Sequence, residues 1–346
     1  MKRKSTKKEK EKEKTEVKPS KNKTKVKRRD KKTMATLTQF EQELKDFGIY
    51  TEDIENIQLL TSVDHFGHTS FRGDDLDVLF GMLYVLQKYK GGCTPMHLEI
   101  SSKNTLTENL GVNWTCVEGK RKLTFPVNFN ENFKKCDEDP NVKFIFIFLT
   151  FENEKPCRKY DNYAHANLII YSKSKKLFER FEPNGCSVDF SVWFESQSFD
   201  LEFGKYIKKH FPGRGYHTPI TCCPYIGIQM IQENEKRGMM NVPVGPGGYC
   251  AVFSLWIIAL RLRNPDEDFQ ILQYKAIKKI QKGNKEFTTF INNFAEYIVR
   301  KREELIKKLP INIGKYINKQ RDILHKLPVD VLRIINKFIK EEFKLI

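Results

Sequence analysis

The segment GGYCAVFSLWIIALRLRNP, residues 247–265, places a cysteine close behind two glycines and ahead of a long apolar run. A lone cysteine is a common small core residue. At the mouth of a helix its chemistry changes. The N–H groups of a first helical turn and the positive end of the helix dipole favour a thiolate. Those same amides can receive the oxyanion of a tetrahedral intermediate. Gly247 and Gly248 let substrate backbone approach where a side chain would block it. The run AVFSLWIIAL anchors the helix, so Cys250 has the setting of a rigidly held nucleophile.

A thiol nucleophile needs a base within hydrogen-bond reach. Of seven histidines (65, 68, 97, 165, 210, 217 and 325), His165 alone opens an apolar strand, in HANLIIY. A strand end holds an imidazole firmly at the edge of a cleft. HANLIIY and KKLFERFE, joined by the polar SKSK, read as a β-hairpin with its turn near 173–175. That hairpin folds Glu182 back beside His165, where a carboxylate fixes the tautomer and supports an imidazolium. Asn184 is the alternative orienting group. Glu179, three positions before Glu182, belongs on the opposite face of the sheet.

The order His165, Glu182, Cys250, carried by HANLIIY, ERFEPNG and GGYCAVFSLWIIALRL, resembles the adenain/Ulp-type cysteine protease clan. That clan includes adenovirus proteinase, SUMO and NEDD8 proteases and asfarvirus-type polyprotein proteases. The motifs look especially like thiol-protease-like proteins of nucleocytoplasmic large DNA viruses, over roughly 140–265. The resemblance implies a cysteine (thiol) protease acting on viral polyprotein or on ubiquitin- or SUMO-like conjugates, with a Gly-Gly-X preference from a narrow groove. It also implies an oxyanion-hole glutamine a few residues before the cysteine, and 241–249 holds none. Gln229 is favoured for that role over Gln232. HAN also lacks the aromatic that often follows the clan's histidine. The same triad would serve a YopJ-type acyltransferase, and an inactive protease-like interaction module is the non-enzymatic alternative.

The elements that must position these groups follow from periodicity. Helices are expected over 37–60, 74–90 and 190–211, short strands near 112–117 and 121–127, and a strand covered on both faces at 142–151. ITCCPYIGIQMIQ, 220–232, reads as a further strand, and Pro265 closes the helix begun at Cys250. The Lys-rich stretch from 266 reads as helices. LPVDVLRIINKFI near 327 faintly resembles an F-box opening, although an ordinary amphipathic helix accounts for it. The expected fold is α+β, a mixed central β-sheet flanked by helices with a helical C-terminal extension. The expected division is a basic disordered tail (1–33), a mainly helical accessory region (34–140), the protease-like core (141–265) and the extension (266–346).

The formal charge of +17 is concentrated in residues 1–33, which hold 17 Lys/Arg against 5 Asp/Glu. A segment so poor in apolar residues cannot repay its ordering entropy. Its KVKRRDKK suits nuclear import or nucleic-acid contact. No signal peptide or membrane-length apolar run is evident, so eight cysteines without CxxC spacing are expected as reduced thiols in an intracellular setting, host cytoplasm or nucleus, with packaging in a virion as a further destination. HFGH (65–68) and HFPGRGYHTPITCC (210–223) lack a second half at zinc spacing, so no metal and no cofactor are expected. GPGG (245–248) is not a phosphate loop, because no Lys-Ser/Thr follows. The expected partner is a protein substrate, with nucleic acid at the tail and no membrane.

Overall fold

The computed structural model describes residues 71, 73, 75–96, 99–100, 106–107, 111–153, 164–186, 194–232, 248–282, 286–311 and 327–343. In chain order the elements are α1 (Asp75–Lys88), β1 (Gly92–Cys93), β2 (Glu99–Ile100), β3 (Leu106–Thr107), β4 (Val112–Val117), β5 (Lys120–Thr124) and α2 (Phe129–Glu138). There follow β6 (Phe144–Asn153), β7 (Ala164–Ser172), β8 (Leu177–Phe181), α3 (Ser196–His210), β9 (Gly215–His217) and α4 (Pro219–Cys222). The last four are α5 (Tyr249–Arg263), α6 (Phe269–Lys282), α7 (Phe287–Lys308) and α8 (Val329–Phe343).

Seven strands form one sheet in the order β5-β4-β6-β7-β8-β9, with β1 pairing onto β6, while β2 and β3 form a separate two-stranded ribbon. The sheet is mixed: β4 and β1 run parallel to β6, whereas β6–β7 and β7–β8 are antiparallel. The fold is therefore α+β, as the periodicity led us to expect.

FIFIFLTFEN of β6 is the spine because both its faces are buried. Phe144, Phe146 and Phe148 enter one core with α5, α6 and α7, while Ile145, Ile147 and Leu149 enter a second core with α2 and α3. The two-residue period of a strand makes that division. Helix α5 is apolar all round, with every residue from Ala251 to Leu262 buried, as a helix threaded through a core must be. It packs on β6 and β7 on one side and on α1 and α7 on the other, so the mount of Cys250 is the centre of the larger core. Helix α8 closes a third cluster with Leu79, Phe80 and Leu83 of α1 and Leu305 of α7.

Several expectations change. Residues 220–232 do not form a strand: α4 spans 219–222, and 228–232 are helical again. Pro219 starts the first helical turn, and Pro224, lacking an N–H, interrupts the apolar run that had suggested β-structure. The short strand β9 occupies GYH, beyond the helix expected to end at 211. Helix α2 lies where no individual element had been expected, and β4, before residue 140, pairs with β6, after it. Cys93 and Cys136 are joined in a disulfide with Cα atoms 5.8 Å apart, which corrects the expectation that every thiol is reduced. Their 43-residue separation hid the pairing, which arises because β1 and α2 meet at the same end of β6. The helix expected at 37–60, the tail, and the HFGH motif lie outside the described residues.

Candidate active site

Cys250 is the second residue of α5, and helical hydrogen bonding begins at Gly248, whose carbonyl accepts from Ala251 N–H at 2.9 Å and Val252 N–H at 3.2 Å. Gly248 has φ 77°, a left-handed conformation that glycine adopts without strain. Cys250 is partly exposed as a residue, and its sulfur accepts a hydrogen bond from the backbone N–H of Ala166 at 3.3 Å. Among its neighbours, His165 is the group that most favours its thiolate.

His165 sits near the start of β7, opposite Phe151 of β6, and is only 5% exposed. Its Nε2 lies 2.7 Å from Glu182 Oε1. The ring is flanked by Phe151 and by Phe194, the latter at 5.7 Å between centroids with planes 23° apart. Phe194 is tied in place by Trp114, whose Nε1–H donates to the Phe194 carbonyl at 3.0 Å. Phe194 follows His165 by 29 positions in the sequence.

Glu182 follows β8 directly. The pairing Leu168↔Phe181 continues to set Glu182 beside Asn167, with His165 two residues along on the same face. Glu182 Oε1 accepts from His165, from Asn184 N–H at 3.0 Å and from Asn184 Nδ2 at 3.1 Å, while Oε2 accepts from Asn167 Nδ2 at 2.9 Å. Asn184, the alternative orienting group, therefore holds the carboxylate rather than the imidazole. Glu179 pairs with Ile170 and lies on the opposite face, near Arg261.

The electrostatics follow from burial and these contacts. Burial alone would depress the His165 imidazolium, but the Glu182 carboxylate and the Cys250 sulfur raise it to about 10. Burial pushes the Cys250 thiol up, yet the hydrogen bond and charge of His165, helped by Ala166 N–H, hold it below its usual value. Burial likewise raises Glu182, and the His165 charge and hydrogen bond, with Arg180 and Asn184 N–H, more than reverse that. The three directions agree: thiolate, imidazolium and carboxylate are each favoured by the next.

Gln229 is in the helical turn 228–232, not on a strand. The loop before it is locked to the loop after Glu182: Gly227 N–H donates to Asn184 O and Gln229 N–H to Pro183 O, both at 2.9 Å, and Gly185 N–H donates to Glu182 O. Gln229 is thereby fixed relative to the carboxylate end of the site. Gln232 instead donates from Nε2 to Thr288 Oγ1 of α7 at 3.2 Å. Asn167 and Arg180 escaped the sequence reading, although each is two residues from a candidate and so shares its strand face. Of the zinc candidates, Cys222 and Cys223 lie buried against the Arg180 carbonyl. Among the described residues no three His, Cys, Asp or Glu side chains gather as a metal site, and no helix is long and apolar enough to cross a membrane.

No family model matches the chain. It is 24% identical over 278 residues to a curated protein of Acanthamoeba polyphaga mimivirus named as an ankyrin repeat protein, a match covering 73% of this chain and about a third (34%) of that relative's length. Among solved structures it is similar to the Chlamydia trachomatis effector Cdu1 bound to ubiquitin, at 11% identity and TM-score 0.35, over 69% of this chain and 96% of that one. It is also similar to ChlaDub1 of the same organism, at 13% identity and TM-score 0.34, over 73% and 97%. The Legionella pneumophila effector RavZ aligns at 11% identity and TM-score 0.35, over 73% of this chain and 74% of that one.

Proposed function

We propose that the protein is a cysteine protease of the adenain/Ulp type, cleaving peptide or isopeptide bonds with Cys250 as nucleophile, His165 as base and acid, and Glu182 as the group that orients His165. The observation that carries this reading is His165 held 2.7 Å from the Glu182 carboxylate, beside the partly exposed Cys250 at a helix mouth whose thiolate it favours.

His165 takes the thiol proton, and the thiolate attacks the substrate carbonyl carbon, forming a C–S bond while the carbonyl π pair moves to oxygen. Amides at the start of α5 and the Gln229 side chain receive that oxyanion. As the intermediate collapses, the C–N bond breaks and the imidazolium proton goes to the leaving amine. His165 then takes a proton from water, whose oxygen attacks the thioester. The C–S bond breaks, the thiolate recovers a proton from the imidazolium, and the acid is released. The substrate is a polyprotein or a ubiquitin-like conjugate in an intracellular setting, and the basic segment 1–33 is an arm for nucleic acid.

The test is labelling of the full chain with ubiquitin and SUMO vinyl sulfones, and turnover of Gly-Gly-containing peptides. Ubiquitin is the first probe because it is the protein bound in the Cdu1 structure. Adduct formation on Cys250, abolished in Cys250→Ala, is expected. A folded protein that none of these probes labels and that cleaves none of the peptides overturns the reading, and acetyl transfer from acetyl-CoA to Cys250 in its place would assign the same triad to an acyltransferase.

A further inference from the structure

Behind the site lies a chain of buried and part-buried polar groups that the mechanism above does not use. Arg180 of β8 is buried between the rings of Phe151 and Phe199, its guanidinium carbon 5.6 and 5.7 Å from their centroids. A guanidinium stays charged in such a place, so its charge must be compensated nearby. Its Nε–H and Nη2–H donate in fork geometry to Asp200 of α3, at 2.8 and 2.7 Å. The phenol of Tyr216, on β9, donates to the same Asp200. The remaining Nη1–H passes over Glu182, whose Oε2 is 3.8 Å away, and donates to Asn167 Oδ1 at 2.6 Å.

That last contact decides which way the Asn167 amide points. With Oδ1 facing a donor, Nδ2 faces Glu182 Oε2 at 2.9 Å. Glu182 is therefore held on both oxygens, by Asn184 and His165 on one and by Asn167 on the other. On Oε2 the carboxylate's hydrogen bond comes from the neutral Asn167 amide, while the guanidinium, 3.8 Å away, makes its own bonds to Asp200 and Asn167.

We propose that the Asp200–Arg180–Asn167 chain is a positioning device that locks the Glu182 carboxylate and, by keeping Arg180 paired to Asp200, reserves the Glu182 charge for His165. The proposal rests on the reading of Cys250 and His165 as a thiolate–imidazolium pair. The ionisable groups facing that pair are Glu182 and Arg180 from β8 and its end, Asp200 from α3, Tyr216 from β9, and the Cys223 sulfur, which accepts Glu182 N–H at 3.5 Å. Asp200 reaches the imidazole only through Arg180, Asn167 and Glu182, so its effect is electrostatic and orientational.

The experiment is alkylation of Cys250 by iodoacetamide in the full chain across pH, read by mass spectrometry at that residue. The wild type should show two inflections, the lower for thiolate formation and the upper for loss of the imidazolium proton. In Asp200→Asn, Arg180 keeps its charge with no carboxylate of its own and turns to Glu182. The upper inflection then moves down by about one pH unit or more. The paired change Arg180→Met with Asp200→Leu removes both charges, and such apolar replacement of a buried ion pair commonly folds. It should return the upper inflection to the wild-type position, while the plateau rate falls about tenfold because Asn167 is released.

An unmoved upper inflection in Asp200→Asn, or a shift in the paired variant as large as in Asp200→Asn, overturns the proposal. If Asp200→Asn does not fold, the paired variant decides alone, and a plateau rate equal to wild type overturns it. A wild-type profile with a single inflection in the ordinary thiol range instead overturns the thiolate–imidazolium reading itself, so the two failures are distinct.

Discussion

His165 Nε2 and Glu182 Oε1 lie 2.7 Å apart across the β7–β8 hairpin, although 17 residues separate them along the chain. Both are buried, so little solvent competes for the bond, and the pair sets the protonation of the site. Glu182→Gln keeps the shape and removes the charge. The imidazolium then loses its main support, and the upper inflection of Cys250 alkylation should fall from about 10 toward the ordinary histidine value of 6.5. An inflection unchanged in that variant would show that Glu182 does not carry the effect.

The same pair makes stability depend on pH with a defined sign. His165 is raised in the folded state, so its contribution is full below 6.5 and is lost as pH rises through about 10. Glu182 is depressed, so its contribution is full above 4.5 and is lost as pH falls through its lower folded value. The His165–Glu182 pair therefore contributes most between roughly 4.5 and 6.5. The depressed Cys250 thiol adds a contribution that is lost as pH falls through its folded value, so chemical denaturation of Cys250→Ala from pH 3 to 11 isolates the pair. His165→Ala should flatten the alkaline limb, and a wild-type slope retained in that variant would contradict the assignment.

Gln229 and Gln232 are separated by one experiment. Gln229→Ala should slow vinyl sulfone labelling or peptide turnover by about 10²-fold or more, the usual loss for one oxyanion donor. Gln232→Ala, which removes the bond to Thr288, should leave the rate alone and cost about 1 kcal/mol of stability. The reverse pattern would move the oxyanion role to Gln232.

Gly227 and Gly185 pass so closely that a side chain at either has no room. A Cβ at Gly227 would meet Gly185 N at 2.1 Å and Pro183 O at 2.3 Å, and backbone cannot yield as a side-chain tip can. Gly227→Ala should destabilise by about 1–3 kcal/mol and displace the Asn184 and Gln229 loops together. Thermal melting and alkylation of Cys250 should both fall, and an unchanged melt would mean that the two loops are not clamped.

Cys93 of the Cys93–Cys136 disulfide pairs with Ile145 of β6, whereas His165 pairs with Phe151, six residues further along the same strand. For its 43-residue loop, loss of the cross-link should cost on the order of 4 kcal/mol by chain entropy. Cys93→Ser with Cys136→Ser should lower the melting temperature and leave the pH profile of Cys250 alkylation in place. A displaced profile would couple the bridge to the site.

Much of this arrangement follows from local pattern. The continuous apolar run of β6, the hairpin of β7 and β8, and the fully apolar helix α5 each announce themselves through periodicities of two or 3.6 residues. Those elements suffice to bring His165, Glu182 and Cys250 into consideration together, because hairpin register and helix mouth are short-range consequences of sequence. Long-range pairing is different. Phe194 stacking on His165, Asp200 holding Arg180, Gln229 clamped through Gly227 to Gly185, and Cys93 bonded to Cys136 join segments whose separation carries no periodic signal.

The apolar run at 220–232 shows the limit most clearly. Its β-branched residues suit a strand, yet Pro219 and Pro224 break the ladder, and close packing against the Glu182 loop makes it two helical turns. Sequence by itself determined the residue types of His165, Glu182 and Cys250 and the elements that present those three, since those depend on bonds between near neighbours. Tertiary structure decided which carboxylate oxygen faces which donor and which aromatic covers the imidazole, since those depend on where α3 and the 219–232 segment dock on the sheet.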